Sequence, residues 1–235
     1  MASYRWIFFD LFDTLCTVDE PAYYEGKRRA AEAAGVAPES FLAAWQATSQ
    51  DASVGRLRSP FERAVAALAS MGVKDRAAAA EVARLDIETI QASVFYYDGA
   101  CEALAGLRER GFQLGLISNA TATTAFAVSS LKLRDKLDVL VFSYESGLVK
   151  PDPAIFELAL RRASCPPAEA LFVGDGANGE LDAAASFGMG ALCLDHPLKA
   201  HSFRDSSKLS AAHYRKVGGF AELMGLPDLQ GPMAQ

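Results

Sequence analysis

Short apolar runs recur along the chain, each bounded by polar or turn-forming residues. The first run, Trp6 to Phe9, ends at Asp10, and a run of this kind indicates a strand that is buried on both faces. Five later runs share this character: Leu114 to Ile117, Val139 to Phe142, Leu171 to Val173, Ala191 to Leu194 and, more weakly, Tyr214 to Val217. Together they predict six strands of one buried sheet.

Apolar residues between these runs recur at helical spacing. The helices predicted there are Ala100 to Arg110, Thr121 to Leu131, Ala154 to Ala163 and Leu181 to Phe187. Gly111 and Gly188 follow two of them and favour the left-handed conformation that ends a helix. Strands that alternate with helices predict an α/β fold, a doubly wound parallel sheet of the Rossmann-like kind. In such a sheet, ligands bind at the carboxyl ends of the strands.

Residues 17–95 interrupt the alternation. They are rich in Ala and predict four helices: Glu25 to Ala34, Glu39 to Thr48, Pro60 to Met71 and Ala77 to Val94. Because the alternation resumes at Asp98, we interpret the segment as an all-helical insertion; a helical domain unconnected with the site is the alternative. The predicted organisation is a core at 1–16 and 96–226, the insertion at 17–95 and a flexible tail at 227–235.

Composition narrows the functional classes. The chain has 235 residues, of which 51% are hydrophobic, and a net charge of −6. This balance predicts a sizeable core and argues against a nucleic-acid or anionic-membrane surface. We recognise no signal peptide and no apolar run long enough to span a bilayer, and the four cysteines form no CxxC pair. We therefore expect a cytoplasmic protein with reduced thiols, either a monomer or a homodimer.

Polar residues follow four of the predicted strands. These segments are Asp10 to Leu15, Ser118 with Asn119, Lys150 to Pro153, and Gly174 to Glu180. Because the carboxyl ends of parallel strands meet at one edge, Asp10, Asp175 and Glu180 are expected in one cleft with Lys150. Three carboxylates in one cleft need a cation, and oxygen ligands without His or Cys favour magnesium.

A phosphate ester suits this predicted site. The metal and Lys150 would neutralise the phosphoryl charge, and Ser118 would donate a hydrogen bond to a phosphoryl oxygen. The carboxylate of Asp10 would be the nucleophile and would form an aspartyl-phosphate that water then hydrolyses. The sequence thus predicts a magnesium-dependent hydrolase of a small phosphorylated molecule.

The order of these motifs resembles that of the haloacid dehalogenase superfamily, most of whose members are phosphatases. The resemblance covers nearly all of residues 5–225, and four ordered motifs make it specific. Residues 17–95 are similar to the small α-helical cap of that family, which closes over the substrate. The fold implied is an α/β core with an inserted helical cap.

The resemblance also implies roles by position. Asp10 would be the nucleophile and a magnesium ligand, and the remaining ligands would be the backbone carbonyl of Phe12, Asp175 and Glu180. Thr14 and Ser118 would bind phosphoryl oxygens. Asn119 would help to order the phosphate-binding loop, and Lys150 would stabilise the charge on the nucleophile and the phosphoryl group.

One position departs from the pattern of the phosphatases. They read Asp-x-Asp-x-Thr, in which the second Asp protonates the leaving oxygen, whereas this chain has Phe12 there. Phe cannot transfer a proton. Three possibilities stay open: Asp13 takes over the role, water or a cap residue supplies the proton, or the leaving group needs none.

The last possibility fits the dehalogenases that gave the superfamily its name, which carry an aromatic residue at this position and work without metal. Against it, Asp175 and Glu180 form the metal-binding motif, and Ser40 to Ala44 lacks the arginine of the dehalogenases. A phosphonate-cleaving relative needs a cap lysine, and neither Lys27 nor Lys74 lies in a recognisable motif. A non-catalytic binding module that has lost its acid is the other alternative, which only Phe12 supports.

The remaining polar residues are interpreted as surface or packing features. Five cap arginines predict solvated helix faces, although one of them is a candidate for a distal anionic group of the substrate: Arg28, Arg29, Arg56, Arg58 and Arg63. His196, Lys199 and His201 predict an exposed loop, and the rim of the cleft is the alternative. Tyr96 and Tyr97 predict packing at the return to the core, and Asp152 predicts a helix N-cap.

Overall fold

The computed structural model describes residues 4–197 and 214–231, so Lys199 and His201 lie outside the described residues. Six strands form one parallel sheet in the order β5-β4-β1-β6-β7-β8. They are β1 (Trp6–Phe9), β4 (Gln113–Ser118), β5 (Val139–Phe142), β6 (Ala170–Gly174), β7 (Gly190–Leu194) and β8 (Lys216–Val217). The doubly wound parallel sheet that the apolar runs predict is therefore confirmed.

Strand β1 lies at the centre of the sheet because all four of its residues are apolar and can be buried on both faces. Ile7 and Phe9 pack into one hydrophobic cluster, and Trp6 and Phe8 pack into another on the opposite face. Phe9 pairs with Leu116 of β4 and Val173 of β6. This register brings the residues that follow β1, β4 and β6 to the same edge of the sheet.

Helices cover both faces of the sheet. They are α6 (Ala100–Glu109), α7 (Thr124–Ser130), α8 (Ser143–Ser146), α9 (Pro153–Ala163), α10 (Glu180–Ser186) and α11 (Phe220–Met224). Gly111, just after α6, has φ of 90°, so this predicted left-handed stop is confirmed. Asp152 caps α9 as predicted, because its side chain accepts a hydrogen bond from the Ala154 amide at 2.9 Å.

Five helices separate β1 from β4 in the sequence and build a core of their own around Phe41 and Trp45. They are α1 (Glu20–Ala33), α2 (Pro38–Ala47), α3 (Ser49–Ser53), α4 (Pro60–Ser70) and α5 (Arg76–Ser93). We call these residues, Glu20–Ser93, the helical insertion. The sequence pattern predicts four of these helices and misses α3, which has five residues.

A short antiparallel pair of strands joins the helical insertion to the core. Strand β2 (Cys16–Val18) enters the insertion and β3 (Val94–Tyr96) leaves it. Each has three residues, too few to give a readable alternation of polar and apolar positions. The two chain crossings therefore lie side by side at the base of the insertion.

The sequence predicts a flexible tail at 227–235, and the structure corrects this prediction for the first residues of the tail. Pro227–Leu229 forms a 3-10 turn, and Leu229 is fully buried in the core. The Arg110 guanidinium donates a hydrogen bond of 2.8 Å to the Leu229 carbonyl. The burial of Leu229 and this hydrogen bond hold residues 227–229 against the core, whereas residues 232–235 lie outside the described part of the chain.

None of the four cysteines forms a disulfide. Among the described helices, none is both long and apolar enough to cross a membrane.

Candidate active site

The loop after β1 places two carboxylates at the edge of the sheet. Asp10 continues the strand, because its amide donates to the Val173 carbonyl at 2.9 Å. The chain then turns back through Asp13, whose φ is 57°, a left-handed value that Asp adopts more readily than most residues. The Asp13 carboxylate accepts hydrogen bonds from the hydroxyls of Tyr97 (3.1 Å) and Thr17 (3.4 Å).

Asp10, Asp175 and Glu180 form a buried cluster whose carboxylate oxygens lie within 4.8 Å of one another. Asp175 directly follows β6, and Glu180 is the first residue of α10. Each of the three residues is less than one-tenth exposed. The fold thus brings together the three carboxylates that the sequence was expected to place in one cleft. They form the group of possible metal ligands found in residues 4–197 and 214–231.

Gly174 leaves the space that the Glu180 carboxylate fills. A Cβ atom at residue 174 would lie 2.1 Å from Glu180 Oε1. The Gly176 amide donates to the same oxygen at 3.3 Å and helps to fix it. Glycine at this position is therefore a packing requirement of the carboxylate cluster.

We expect Gly174→Ala to destabilise the protein by about 1–3 kcal/mol, because the added methyl group must displace the Glu180 side chain. Gly219→Ala is a matched control, since nothing lies within 4 Å of its Cβ position and its backbone is extended. Urea denaturation of both variants measures the difference. Equal free energies of unfolding for the two variants would mean that Glu180 moves aside at no cost.

Lys150 bridges two of the three carboxylates. Its ammonium group lies 2.5 Å from Asp10 Oδ1 and 2.5 Å from Glu180 Oε2, and the residue is only 3% exposed. Asn119 holds the Lys150 backbone at both ends: its side chain donates to the Lys150 carbonyl at 2.9 Å and accepts from the Lys150 amide at 2.7 Å. The loop after β4 thus fixes the position of the lysine.

The cluster carries more negative than positive charge. Burial raises the pKa of Asp10; the Lys150 ammonium opposes this rise, and the Asp175 carboxylate adds to it. Burial likewise raises the pKa of Glu180. Burial alone would lower the pKa of Lys150, but the Asp10 and Glu180 carboxylates outweigh burial and raise it. One lysine does not balance three buried carboxylates, so a cation would relieve their repulsion.

Of the three remaining predicted site residues, two line the same cavity as Asp10 and one does not. Ser118 ends β4 and lines the same cavity as Asp10. Phe12 also lines this cavity, and no donor in the described residues bonds to its carbonyl. Thr14 does not line it: its side chain is fully buried, and its hydroxyl has no hydrogen-bond partner. The structure therefore brings every predicted residue except the Thr14 hydroxyl to the cavity.

A cavity of about 640 Å³ lies between the carboxyl edge of the sheet and the helical insertion. Its core side is lined by Asp10, Asp13, Asp175 and Glu180, and Tyr23, Arg63 and Asp86 line it from the insertion. This volume is typical of sites for small molecules. The buried carboxylates thus face a partly open cleft of the right size for a metabolite.

Asp86 links the helical insertion to the core at the cavity wall. It forms a buried ion pair with Lys27 of α1, and its other oxygen accepts a hydrogen bond from the Thr123 hydroxyl at 2.6 Å. Thr123 precedes α7 in the core. Sequence reasoning missed this pair because Lys27 and Asp86 are 59 positions apart.

Two further residues differ from their sequence interpretation. Arg63, expected on a solvated helix face, is half-buried and lines the cavity. His196, expected in an exposed loop, is buried; its ring stacks on Tyr97 at 3.8 Å, and its Nε2 lies 2.9 Å from the Thr14 carbonyl. No signal in the sequence separated Arg63 from the exposed Arg56, because neither has an acidic residue three or four positions away.

Comparisons with known proteins agree with this geometry. The chain is 32% identical over 131 residues to the ribulose-1,5-bisphosphate 5-phosphatase of Halopiger xanaduensis, which is 55% of this chain and 54% of the relative. It spans about half or less of the length of the curated relatives that it matches.

Two solved structures have the same fold over nearly the whole chain. The 2-haloacid dehalogenase of Pseudomonas syringae is 25% identical with a TM-score of 0.70, covering 94% of this chain and 97% of that chain. A HAD family enzyme from Bacteroides thetaiotaomicron, solved with magnesium and inorganic phosphate, is 20% identical with a TM-score of 0.62, covering 86% and 100%. The profile of the family described as haloacid dehalogenase-like hydrolase matches residues 4–188. The chain therefore belongs to the haloacid dehalogenase-like hydrolases.

Proposed function

We propose that this hydrolase is a magnesium-dependent phosphatase that cleaves a small phosphorylated metabolite through an aspartyl-phosphate on Asp10. The observation that carries the proposal is the buried cluster of Asp10, Asp175 and Glu180, bridged by Lys150 and opening into the cavity. Relatives named as phosphatases, including the ribulose-1,5-bisphosphate 5-phosphatase, add support. The helical insertion would act as the cap over the substrate.

The donor set fits magnesium. The side chains offer only carboxylate oxygens, which a hard divalent cation prefers, and none of them is a His or Cys. Asp10, Asp175 and the Phe12 carbonyl would hold the ion, and Glu180 would complete its surroundings. When bound, magnesium would draw charge from a phosphoryl oxygen.

The chain's own residues would carry the transfer. The Asp10 carboxylate would attack phosphorus, forming one O–P bond while the bond to the leaving alcohol oxygen breaks. Lys150 would offset the charge of Asp10 and the phosphoryl group, and the Ser118 hydroxyl would donate to a phosphoryl oxygen. Water would then attack the acyl-phosphate, releasing phosphate and restoring the Asp10 carboxylate. Thr14 would act only indirectly, through the loop after β1 in which it lies, because it does not line the cavity.

Asp13 is the proposed source of the proton for the leaving alcohol. It lines the same cavity as Asp10, whereas Phe12, at the usual position of the acid, has no transferable proton. Hydrogen bonds from Tyr97 and Thr17 to Oδ1 hold the Asp13 side chain in place, and in this role Asp13 would be a protonated carboxyl group that becomes a carboxylate on transfer.

This role predicts a dependence on the leaving group. In Asp13→Asn, kcat for an alkyl phosphate should fall about 100-fold or more, because an alkoxide needs a proton to leave. For p-nitrophenyl phosphate, whose leaving group is stable as an anion, the fall should be small. Steady-state kinetics with both substrates measure the contrast. An equal loss on the two substrates would assign Asp13 to the shape of the loop instead of proton transfer.

A metal-independent dehalogenase is the second candidate. The aromatic Phe12 and the similarity to a 2-haloacid dehalogenase of Pseudomonas syringae favour it. Asp175 and Glu180 oppose it, because together with Asp10 they make three buried carboxylates, and among the described residues only the single charge of Lys150 contacts this cluster.

One assay separates the two functions. The phosphatase proposal expects turnover of p-nitrophenyl phosphate that requires magnesium and stops in chelator. Release of chloride from 2-chloropropionate in chelator, without phosphatase activity in magnesium, would establish the dehalogenase in its place. Absence of both reactions over a panel of esters would reject both.

A further inference from the structure

The part of the cavity formed by the helical insertion carries polar side chains that phosphoryl transfer at Asp10 does not use. They come from α1, from α4, and from the α3 region: Tyr23, Arg63, Ser49, Gln50 and Ser53. The charged guanidinium of Arg63 would be costly to place against only an apolar alcohol, because a charge that is partly withdrawn from water needs polar partners. The chemistry of this wall therefore bears on the distal part of the substrate.

Arg63 is the cation of this wall. Its guanidinium stacks on the Trp45 ring at 4.4 Å, Nε donates to Thr48 Oγ1 at 2.9 Å, and Nη2 donates to Ser49 Oγ at 3.1 Å. Nη2 also lies 3.3 Å from the Trp45 carbonyl. These acceptors are all neutral, and none within the described residues accepts from Nη1. The guanidinium is thus fixed on one side and keeps donors for a ligand.

Three exposed arginines of the helical insertion, Arg28, Arg56 and Arg84, form ion pairs with acidic side chains. Arg28 bonds Glu25 and Glu32, and Arg84 bonds Glu81 and Glu88, all at helical spacing on exposed faces. Arg63 has Ser59, Pro60, Ala66 and Ala67 at the corresponding positions. A half-buried arginine without a carboxylate partner is unusual, since a guanidinium keeps its charge in proteins.

Asp86 does not neutralise Arg63 by direct contact. One oxygen of Asp86 pairs with Lys27, and the other accepts from the Thr123 hydroxyl. The charge of Asp86 is therefore balanced by Lys27 and not by Arg63. Tyr23 lies on the same wall, and burial together with the Asp86 charge raises the pKa of its hydroxyl, which stays protonated.

We propose that Arg63, with Tyr23 and Ser49 beside it, binds a second anionic group of the substrate, a carboxylate or a second phosphate. The inference rests on the proposed function, in which the other end of the cavity holds the phosphoryl group that is transferred. The substrate class is then a phosphate ester with an anionic tail. Planar guanidinium donors suit both anions, because each offers two oxygens to a fork of N–H groups.

A matched set of three-carbon esters tests the subsite: propyl phosphate, 3-phosphooxypropionate and propane-1,3-diol bisphosphate. We expect kcat/KM of the wild type to be about 10- to 100-fold higher for an anionic tail than for propyl phosphate, as one charge-assisted contact predicts. The better of the two anionic esters identifies the anion. Arg63→Gln should bring this ratio close to 1, and Arg63→Lys should keep part of it.

Arg56→Gln is the control, because Arg56 is exposed, pairs with Asp51 and does not line the cavity. It should keep the wild-type ratio. A wild type without preference, or an Arg63→Gln protein that keeps the preference, would overturn the subsite. Thermal melts of all variants identify any that fail to fold, in which case Arg63→Lys carries the comparison.

Binding to the Asp10→Asn protein separates the subsite from the proposed function, because it needs no turnover. Calorimetry should show tighter binding of 3-phosphooxypropionate or the bisphosphate than of propyl phosphate, and the added Arg63→Gln change should abolish the difference. If no ester is hydrolysed but this difference is found, the phosphatase proposal fails and the subsite stands. Equal binding of all three esters would reject the subsite.

Discussion

Asp10→Asn should lower kcat by ~10⁴-fold or more, because an amide oxygen is a poor nucleophile and the covalent route is lost. The substitution keeps the size of the side chain, and the Lys150 ammonium can still reach the remaining oxygen. The fold should therefore survive, and the loss should be confined to turnover. Single-turnover and steady-state assays with p-nitrophenyl phosphate in magnesium measure it.

Asp152→Asn is the matched control for this variant. Asp152 is exposed, lies two residues after Lys150 and caps α9, and Asn caps helices about as well as Asp. Its turnover should equal that of the wild type. If Asp10→Asn retained wild-type rates, Asp10 would not be the nucleophile, and the whole assignment of the loop after β1 would fall with it.

Lys150→Met should have the second-largest effect and should act on both activity and stability. It removes the one cation that contacts both Asp10 and Glu180 in the described structure. Removing one partner of a buried ion pair costs ~3–5 kcal/mol, because the remaining charges stay buried without compensation. Turnover should fall ~100-fold or more, since the charge on the phosphoryl group loses its ammonium partner.

Urea denaturation with and without magnesium measures the stability effect. We expect magnesium to stabilise Lys150→Met more than it stabilises the wild type, because an added cation offsets the charge that the lysine balanced. Lys74→Met is the control, since Lys74 is exposed on the helical insertion. Equal stability of Lys150→Met and Lys74→Met would show that Lys150 does not compensate the buried carboxylates.

The sheet was predictable because its strands are local signals. Trp6 to Phe9 is the predicted first strand and the observed one, since four apolar residues between polar neighbours leave little freedom in placing it. Parallel topology brings Asp10 and Asp175, which directly follow β1 and β6, to one edge of the sheet, and Glu180 joins them from the start of α10. The position of this cluster was therefore readable without any knowledge of side-chain contacts.

Contacts between distant segments were not predictable. Leu229 packs into the core although the residues next to it in the sequence are mostly polar. His196 is buried, and its ring stacks on Tyr97, which lies 99 positions away in the sequence. The strand predicted at Tyr214 to Val217 is observed only at Lys216–Val217, at the edge of the sheet. The spacing of apolar residues predicts structure within one segment, whereas the burial of Leu229 and His196 depends on contacts between distant segments.

Thr14 shows the limit of assigning a role by motif position. The resemblance implies that its hydroxyl binds a phosphoryl oxygen, and this stays a prediction; in the structure the hydroxyl is buried without a hydrogen-bond partner, and Thr14 does not line the cavity. Arg63 shows the opposite case, since no motif marks it and the fold brings it to the cavity wall. Motif position thus locates a loop reliably, but the direction of each side chain depends on the turn that the loop adopts.

The decisive measurement is a crystal structure of the protein with magnesium and orthovanadate. We expect one ion bound by oxygens of Asp10, Asp175 and Phe12 at about 2.0–2.1 Å, with vanadate between the Asp10 carboxylate and the Lys150 ammonium. An ion bound elsewhere, or vanadate that does not contact Asp10, would contradict the proposed chemistry.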